Sequence, residues 1–404
     1  MSVVKQNDFK MVAKTFFGLE DILENELLSL GAKSVKKGIR SVSFYGDKGF
    51  MYKANLNLRT ALFIYKTIKI STMKLDSDIY YVMKNISWQK YMNVDQSFSI
   101  KTTVSLNRSH NSMYFAQKAK DGLVDKFRDL FGKRPNVDKK FPDIHIHLYI
   151  NEKTVEVSLN SSGSSLHQRG YRLRTNIAPI NEVLAAGLIL LSQWDKKTDF
   201  FDPMCGSATL LIEAAMIACS IPPSLNRKIF AFQKWIDWDN DLYTKIEDSL
   251  VKKIKDLKVT ITGMEKSPSA IIKAKQNLKN ANLEDFIVLK KFDFFKSSKI
   301  NVEKPLQIVF NPPYGERLPV DVESFYSSLG NTLKKNYPNS NAWFLTSNLQ
   351  GIKFIGLRPS RKIKLFNGKL ESRLLNYKLY KGCLLYTSDA ADEGLGVDLG
   401  GRRI

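Results

Sequence analysis

Cysteine, histidine and long apolar runs are scarce in this chain of 404 residues. The three cysteines (Cys205, Cys219 and Cys383) are too few, and odd in number, for a disulfide framework. The four histidines and three cysteines show no metal-ligand spacing, which argues against a zinc site. No apolar run reaches the roughly 18–20 residues of a membrane span, and residues 1–10 lack the apolar region of a signal peptide. We therefore expect a soluble, cytoplasmic protein that holds no metal.

Acidic residues are outnumbered, with 40 Asp and Glu against 62 Lys and Arg and a formal net charge of +22. Both halves of the chain share this excess, and only residues 383–404 are net acidic. Such a charge is typical of proteins with a polyanionic partner, although a generally lysine-rich proteome would also produce it. The composition is that of a globular protein. The length exceeds the roughly 250–300 residues of a single core, so we expect at least two domains.

The N-terminal part of the chain combines short strand and helix patterns. Residues 1–50 read as a small α/β unit, and residues 112–131 place their apolar side chains on one helical stripe. Residues 144–159 alternate apolar and polar side chains on both sides of a turn, which predicts a β-hairpin. Its His145 and His147 project from the polar face. Without a third candidate ligand, we interpret them as an exposed or partner-facing surface.

The pattern changes after a turn-rich stretch at residues 161–165, which predicts a domain boundary. From residue 199 onwards strands, loops and helices alternate, which indicates a mostly parallel sheet covered on both faces. Residues 383–404 continue neither pattern and resemble translated adapter sequence, so we exclude them from the functional interpretation.

The first candidate binding element is the turn between a predicted strand and a helix. It reads Asp202-Pro203-Met204-Cys205-Gly206-Ser207-Ala208-Thr209. Small residues let the backbone approach a ligand, and the helix N-terminus favours an anionic group. The turn is neither Gly-x-Gly-x-x-Gly nor a Walker loop, which argues against nicotinamide and nucleoside triphosphate ligands. An ordinary turn between a strand and a helix would look similar.

Two acidic residues follow the next two predicted strands. Glu265 lies one strand on from the glycine turn, where a carboxylate can accept both hydroxyl hydrogens of a ribose. Asp293 comes just after the following strand and is placed to meet the exocyclic amine of adenine. Each has a structural alternative, since Glu265 fits a surface position at a helix start and Asp293 fits a helix cap.

The strongest motif follows the apolar strand at residues 306–310 and reads Asn311-Pro312-Pro313-Tyr314. Two prolines stiffen the backbone, so that the Asn311 side-chain oxygen and the Pro312 carbonyl can point at one place. Two acceptors of this kind suit an exocyclic amino group of a nucleobase. Tyr314 offers an aromatic face for base stacking, worth about 1–3 kcal/mol. The structural alternative is a stiff turn without chemistry.

Residues 202–209 together with residues 311–318 resemble the class I, S-adenosylmethionine-dependent methyltransferases that act on exocyclic amines of nucleobases. Four further segments point to one family within this class: residues 166–172, 178–182, 221–223 and 230–235. They are similar to the THUMP-domain family of 23S ribosomal RNA guanine-N2 methyltransferases. Two residues depart from the family pattern, because Ala208 stands where a second glycine is usual and Glu265 where an aspartate is common. Neither departure removes a required functional group.

The resemblance covers about residues 1–382 and implies an α/β fold in three parts. These are an N-terminal ferredoxin-like segment (1–50), a THUMP RNA-binding domain (51–163) and a Rossmann-like methyltransferase domain that starts with a linker (164–382). The length implies one catalytic domain and a single activity. Ribosomal RNA, either 23S or its precursor particle, is the implied partner. No membrane partner is implied.

The resemblance also implies roles for individual residues. The implied catalytic residues are Asn311, Pro312 and Tyr314. Those implied to bind S-adenosylmethionine are Asp202, Met204, Cys205, Gly206, Ser207, Thr209, Glu265 and Asp293. Those implied to contact RNA phosphates are Arg169, Arg172 and Arg317, although a solvated surface position would suit these arginines almost as well.

Three alternatives remain open at the level of sequence. A transfer-RNA guanine-N2 methyltransferase and a DNA adenine-N6 methyltransferase share the chemistry and differ in substrate. A non-catalytic RNA-binding ribosome-assembly factor would share the RNA surface and lack turnover. A nicotinamide-dependent oxidoreductase is the least favoured class, because the dinucleotide glycine pattern is absent.

Overall fold

The computed structural model describes residues 4–105, 111–172, 179–313 and 321–380. Tyr314, Arg317 and residues 383–404 lie outside these ranges. The strands are β1 (Phe9–Lys14), β2 (Lys33–Gly38), β3 (Ser41–Gly46), β4 (Phe63–Thr72), β5 (Phe98–Val104), β6 (Ile144–Ile150), β7 (Thr154–Asn160), β8 (Asp199–Asp202), β9 (Ile261–Glu265), β10 (Ile287–Lys291), β11 (Leu306–Phe310), β12 (Ser340–Thr346), β13 (Arg361–Asn367) and β14 (Leu370–Leu379). The α-helices are α1 (Glu20–Leu30), α2 (Lys48–Asn57), α3 (Asp78–Lys84), α4 (Ser112–Phe131), α5 (Glu182–Leu191), α6 (Thr209–Ala218), α7 (Asn240–Val251), α8 (Pro268–Asn280) and α9 (Val322–Asn336). In the part of the chain that is described, none of the helices combines the length and the apolar character needed to span a membrane.

The N-terminal strands form one sheet in the order β2-β3-β1-β4-β7-β6-β5. Only β5 and β6 pair in parallel within it. Sequence signals for its helices are local. Gly31, whose φ of +97° suits glycine, caps the C-terminus of α1, and Asn111 caps the N-terminus of α4 by accepting from two backbone N–H groups. The predicted boundary after residue 50 falls inside α2, and the sheet continues across it.

The predicted hairpin is present, with β6 and β7 antiparallel and Ile146 paired with Leu159. Of the two alternatives given for His147, the exposed position was wrong. This side chain is buried and its ring stacks on Tyr65 with 4.4 Å between ring centroids. Tyr65 belongs to β4, which is separated from β6 by β7, and its ring covers part of the face that was predicted to be exposed.

The second sheet has the order β10-β9-β8-β11-β12-β14-β13. Strands β8 to β12 are parallel, as predicted, whereas β14 runs antiparallel to β12 and to β13. Helices α5 and α6 pack together on this sheet and are apolar on most of their surface, as expected of buried helices. The predicted α/β class with a Rossmann-like sheet is confirmed.

Aromatic side chains join the two sheets' cores. The segment after α6 returns to the N-terminal sheet, where Phe232 stacks on Tyr52 with ring centroids 4.6 Å apart. Phe230, Phe232 and Trp235 belong to the same buried cluster as the core of the first sheet. The two sheets are therefore held together by apolar burial.

Candidate active site

The strand order of the second sheet reverses between β8 and β11. From β8 the chain adds β9 and β10 on one side, and from β11 it adds β12 and the later strands on the other. In open α/β sheets, ligands bind in the crevice at the carboxyl ends of the strands beside such a reversal. The loops that leave β8 and β11 there are the two motifs that the sequence singled out, residues 203–208 and residues 311–313.

Strand register places the candidate residues along one edge. Ile308 pairs with Phe201, so Asp202 lies one residue and Asn311 three residues beyond that pair, both towards the carboxyl ends of their strands. Asp202 itself pairs with Gly263, two residues before Glu265, and Glu265 pairs with Lys291, two residues before Asp293. Because neighbouring strands are about 4.8 Å apart, the four side chains follow one another across adjacent strands. The structure brings together Asp202, Glu265, Asp293 and Asn311.

Hydrogen bonds from two neighbouring elements hold the turn after β8. The Gly206 N–H donates to Glu265 Oε2 at 3.1 Å, and the Cys205 N–H donates to the Met264 carbonyl at 2.9 Å. From α8, the Asn277 amide donates to the Ser207 carbonyl at 3.0 Å. The turn is therefore fixed in place by protein groups alone.

Asp202 is buried, 1% exposed, and accepts a hydrogen bond from the Met204 N–H at 3.1 Å. Burial raises its pKa well above the usual value, and the nearby Glu265 carboxylate adds to this rise. Asp202 thus shapes the beginning of the turn.

Two residues of the turn have positive φ angles, +52° at Gly206 and +67° at Ala208. A Cβ added to Gly206 would meet no protein atom within 4 Å, so packing inside the protein does not account for this glycine. Ala208 is buried and immediately precedes α6. The left-handed backbone gives a physical reason why the related family prefers glycine where this chain has alanine.

The two acidic side chains farther along the edge also bond to the backbone. Glu265 Oε1 accepts from the Ser267 N–H at 2.8 Å, so each of its oxygens holds one N–H group and keeps a second lone-pair site. Asp293 accepts from the Phe295 N–H at 3.0 Å and caps a short 3₁₀ turn, which is the structural role that the sequence also allowed.

Cys205 and Thr209, two of the residues assigned to the cofactor, are buried. The Cys205 sulfur lies against Gly263, where an added Cβ would be 3.1 Å away. The Thr209 hydroxyl accepts from Arg172 at 2.6 Å. The side chains of both residues therefore contact other protein groups.

Arg169 was predicted to contact RNA phosphates, and the structure contradicts this. Its side chain is fully buried and pairs with Glu213 at 3.3 Å. It also donates to the Leu166 carbonyl at 2.8 Å and to the Arg59 carbonyl at 2.6 Å. All this donor capacity is directed to protein acceptors, so the residue joins three parts of the chain.

Arg172 lies beside that cluster and is 18% exposed. Its Nε is 3.2 Å from Glu182 Oε1, and its Nη2 donates to Thr209 at the start of α6. These contacts favour a role for Arg172 in positioning the turn. The phosphate contact predicted for Arg172 stays a prediction.

Glu182 is a buried carboxyl that the sequence interpretation gave no role. Its side chain is 2% exposed, and burial raises its pKa to about 7 although the Arg172 guanidinium opposes the rise. The folded protein therefore retains this proton at pH values where the unfolded chain has released it. Stability contributed by the protonated carboxyl is lost as pH rises from about 4.5 to about 7.

Replacing Glu182 by glutamine is expected to remove this part of the pH dependence. Between pH 5 and pH 8 the wild-type protein should lose about 3 kcal/mol more free energy of unfolding than E182Q, since one pKa unit corresponds to about 1.4 kcal/mol. Urea unfolding at several pH values measures the difference. E284Q, at an exposed glutamate, is the control and should keep the wild-type slope. Equal slopes in E182Q and wild type would contradict the assignment.

Sequence reasoning missed two buried residues near the site. Asn277 donates to the Ser207 carbonyl of the turn, and Glu213 pairs with Arg169. Glu213 is a charged residue in the otherwise apolar helix α6, whereas Asn277 lies in a polar stretch of α8 and is buried by its position on the helix. A polar residue in an apolar stretch indicates a buried partner. That signal was available for Glu213 and not for Asn277, and the sequence identified the partner of neither residue.

No group of three or more His, Cys, Asp or Glu side chains in the described ranges is arranged to hold a metal ion. The arrangement instead places three carboxyl side chains and one amide at adjacent strand ends, beside the start of α6. Such a set suits a polar organic ligand carrying hydroxyl and amino groups.

The fold and the site define a class I methyltransferase domain joined to ferredoxin-like and THUMP domains. Family models match residues 10–64 as the RlmL ferredoxin-like domain and residues 76–160 as the THUMP domain. The RMKL-like methyltransferase domain model matches residues 169–376, more than half of the chain. The chain belongs to the RMKL-like methyltransferase family.

Relatives agree with this membership. The ribosomal RNA large subunit methyltransferase K/L of Buchnera aphidicola is 35% identical over 383 residues, which cover 92% of this chain and 54% of that protein. The slr0064 protein of Synechocystis, provisionally named an RNA methyltransferase, is 33% identical over 90% of this chain and 95% of its own length. The chain spans about half the length of the K/L relatives it matches.

Among solved structures, SMU.472, provisionally named a methyltransferase and crystallised with SAH, has a TM-score of 0.84. It is 28% identical, and the match covers 93% of this chain and all of that one. TrmN from Thermus thermophilus, at 15% identity and a TM-score of 0.67, shares the fold.

Proposed function

We propose that this chain transfers a methyl group from S-adenosylmethionine to the exocyclic N2 amine of a guanine in large-subunit ribosomal RNA, in the cytoplasm. One observation carries the proposal. Asn311 and Pro312 leave β11 at the strand-order reversal, beside the turn that begins at Asp202. An amide acceptor for an amine and a turn suited to a cofactor are thus adjacent.

The residues present fit the cofactor. The positive φ of Gly206 and the absence of protein atoms around its Cβ position leave room for a ligand against the backbone. Glu265 retains lone-pair sites that could accept from two ribose hydroxyls. Asp293, just after the neighbouring strand β10, could accept from the adenine amine. Met204 and Ser207 are half-buried beside them. The SAH bound to SMU.472 supports the same assignment.

S-adenosylmethionine supplies a methyl group already activated on its sulfonium, so no covalent nucleophile is required. The task left to the protein is to expose the lone pair of an amine that is conjugated with the guanine ring. Asn311 and the Pro312 carbonyl would accept the two N–H groups and orient the nitrogen towards the methyl group. This is positioning combined with electrostatic stabilisation.

Tyr314, which lies outside the described residues, retains the stacking role inferred from the sequence. A base must leave its helical stack to reach a pocket of this kind, and an aromatic face would hold it there. Arg317, also outside the described residues, remains a proposed phosphate contact.

Ribosomal RNA is favoured as the substrate by the names of the K/L relatives, by the matched THUMP domain and by the net charge of +22. Methyl incorporation from labelled cofactor into rRNA, tRNA or DNA separates this substrate from its competitors. Mass spectrometry of rRNA nucleosides from cells lacking the protein, with and without complementation, tests the proposal. We expect loss of one N2-methylguanine that complementation restores. Unchanged rRNA nucleosides would contradict it.

Binding to rRNA is expected to weaken steeply with salt. About five phosphate contacts would give a slope of log affinity against log salt near −3.5 to −4.5. Filter binding of a labelled 23S rRNA fragment at several salt concentrations measures the slope. A flat response would argue against an RNA substrate, whereas a binding factor without catalysis would keep the slope and lack cofactor binding by calorimetry.

A further inference from the structure

A cavity of about 330 Å³ lies on one face of the first sheet, away from the strand ends of the candidate active site. Alternation along β1 produces it: Met11 and Ala13 are buried against the helices, while Lys10 and Lys14 point to the other face and line the cavity. Strands from both the ferredoxin-like and the THUMP segments contribute, so the cavity exists only because they share one sheet. Its volume is in the range of binding pockets, about 300–1,000 Å³.

The charge of the lining is predominantly positive, with Lys10, Lys14, Lys36 and Lys37 against Glu156. Lys10 is paired with Glu156 at 3.0 Å and Lys37 with Asp21 at 2.6 Å. Within the described residues, Lys14 and Lys36 have no carboxylate within 4 Å. Burial lowers the pKa of Lys14, the Glu156 carboxylate opposes this only in part, and an anion bound beside the lysine would relieve the remaining penalty. Two lysines thus remain available to a negatively charged ligand.

Aromatic rings line the same cavity. Tyr149 is 40% exposed, and the Lys14 ammonium lies 5.3 Å from its ring centroid. Deeper in, His147 is stacked on Tyr65, and burial lowers the pKa of His147 to about 4, with Lys14 adding to the effect. This histidine is therefore neutral at physiological pH. An exposed ring next to unpaired lysines is the combination that binds an unstacked base and its phosphates.

We propose that this cavity binds one nucleotide of a single-stranded segment of the RNA, with its base stacked on Tyr149 and its phosphates contacted by Lys14 and Lys36. The proposal rests on the proposed function in that the ligand is the RNA substrate. The site would hold the RNA at a second place while the target guanine occupies the candidate active site.

The test uses the full chain, a labelled single-stranded RNA of about 10 nucleotides and a duplex of the same length. K14Q/K36Q is compared with K252Q/K258Q, which removes the same charge from exposed positions of the methyltransferase domain. We expect K14Q/K36Q to reduce the magnitude of the salt slope by about 1.4 for the single strand, because each lost phosphate contact removes about 0.7. The control pair should reduce it less.

A second comparison tests the stacking. Y149L should weaken single-strand binding by about 5- to 150-fold, whereas Y149F keeps the ring and should bind like wild type. Thermal unfolding of each variant confirms that the fold is retained. Equal affinities and slopes for K14Q/K36Q and K252Q/K258Q, or equal affinity for Y149L and Y149F, would overturn the proposal. So would a preference for the duplex that the cavity variants abolish.

The outcomes separate this inference from the proposed function. Wild-type protein that methylates rRNA, with cavity variants unchanged in binding, would reject the cavity and leave the activity intact. Protein that binds the single strand through the cavity but transfers no methyl group would reject the activity and leave the cavity.

Discussion

Replacing Asn311 by alanine is expected to lower kcat for methyl transfer by about 10²–10³-fold, the usual loss when one preorganised polar group is removed. Asn311 comes directly after β11 and is not part of the turn at residues 203–208. Cofactor affinity should therefore stay near the wild-type value. Steady-state transfer of labelled methyl to rRNA, together with calorimetric titration of S-adenosylmethionine, measures both quantities on the same protein.

The matched control is Asn301→Ala, which removes an exposed asparagine amide from a turn before β11. It should leave kcat unchanged. Unchanged turnover in N311A would remove Asn311 from the mechanism. A parallel loss of cofactor affinity and of thermal stability would instead assign the residue a structural role at the end of β11.

Features that depend on local pattern were predictable from the sequence. The helix α4 shows its buried residues at helical spacing, and the hairpin of β6 and β7 alternates strictly. The four strand-end residues were found because each lies at, or within two residues of, the carboxyl end of a strand, and parallel strands bring these ends to one edge. Most of the candidate site is therefore a consequence of strand order and sequence proximity.

Features that depend on distant partners were not predictable. Strand β2 (Lys33–Gly38) is rich in lysine at the edge of its sheet and shows no alternation of apolar residues. The antiparallel strand β14 between β12 and β13 depends on the topology of the chain after α9. Arg169 was interpreted as an exposed cation because its acceptors, on Arg59, Leu166 and Glu213, are contributed by other segments. Local sequence does not reveal which charges will be buried.

The burial of Arg169 leads to the second large expected effect. This guanidinium connects the backbone at Arg59, just after α2, to the linker at Leu166 and to Glu213 on α6. Arg169→Met would remove the ion-pair partner of the buried Glu213 carboxylate, which would keep only the weaker attraction of the Arg59 guanidinium. Removing one partner of a buried ion pair costs about 3–5 kcal/mol, so we expect R169M to lower the free energy of unfolding by that amount. Urea unfolding followed by tryptophan fluorescence measures it.

The ion pair between Lys364 and Glu371 provides the matched control, since both side chains are well exposed, 47% and 37%. K364M should cost about 0–1 kcal/mol because solvent screens the pair. The double variant R169M/E213Q should recover part of the loss, since it removes the buried charge but not the two unpaired carbonyls. A cost for R169M no larger than that for K364M would mean that apolar packing, including Phe232 on Tyr52, joins the N-terminal sheet to the methyltransferase domain without help from this ion pair.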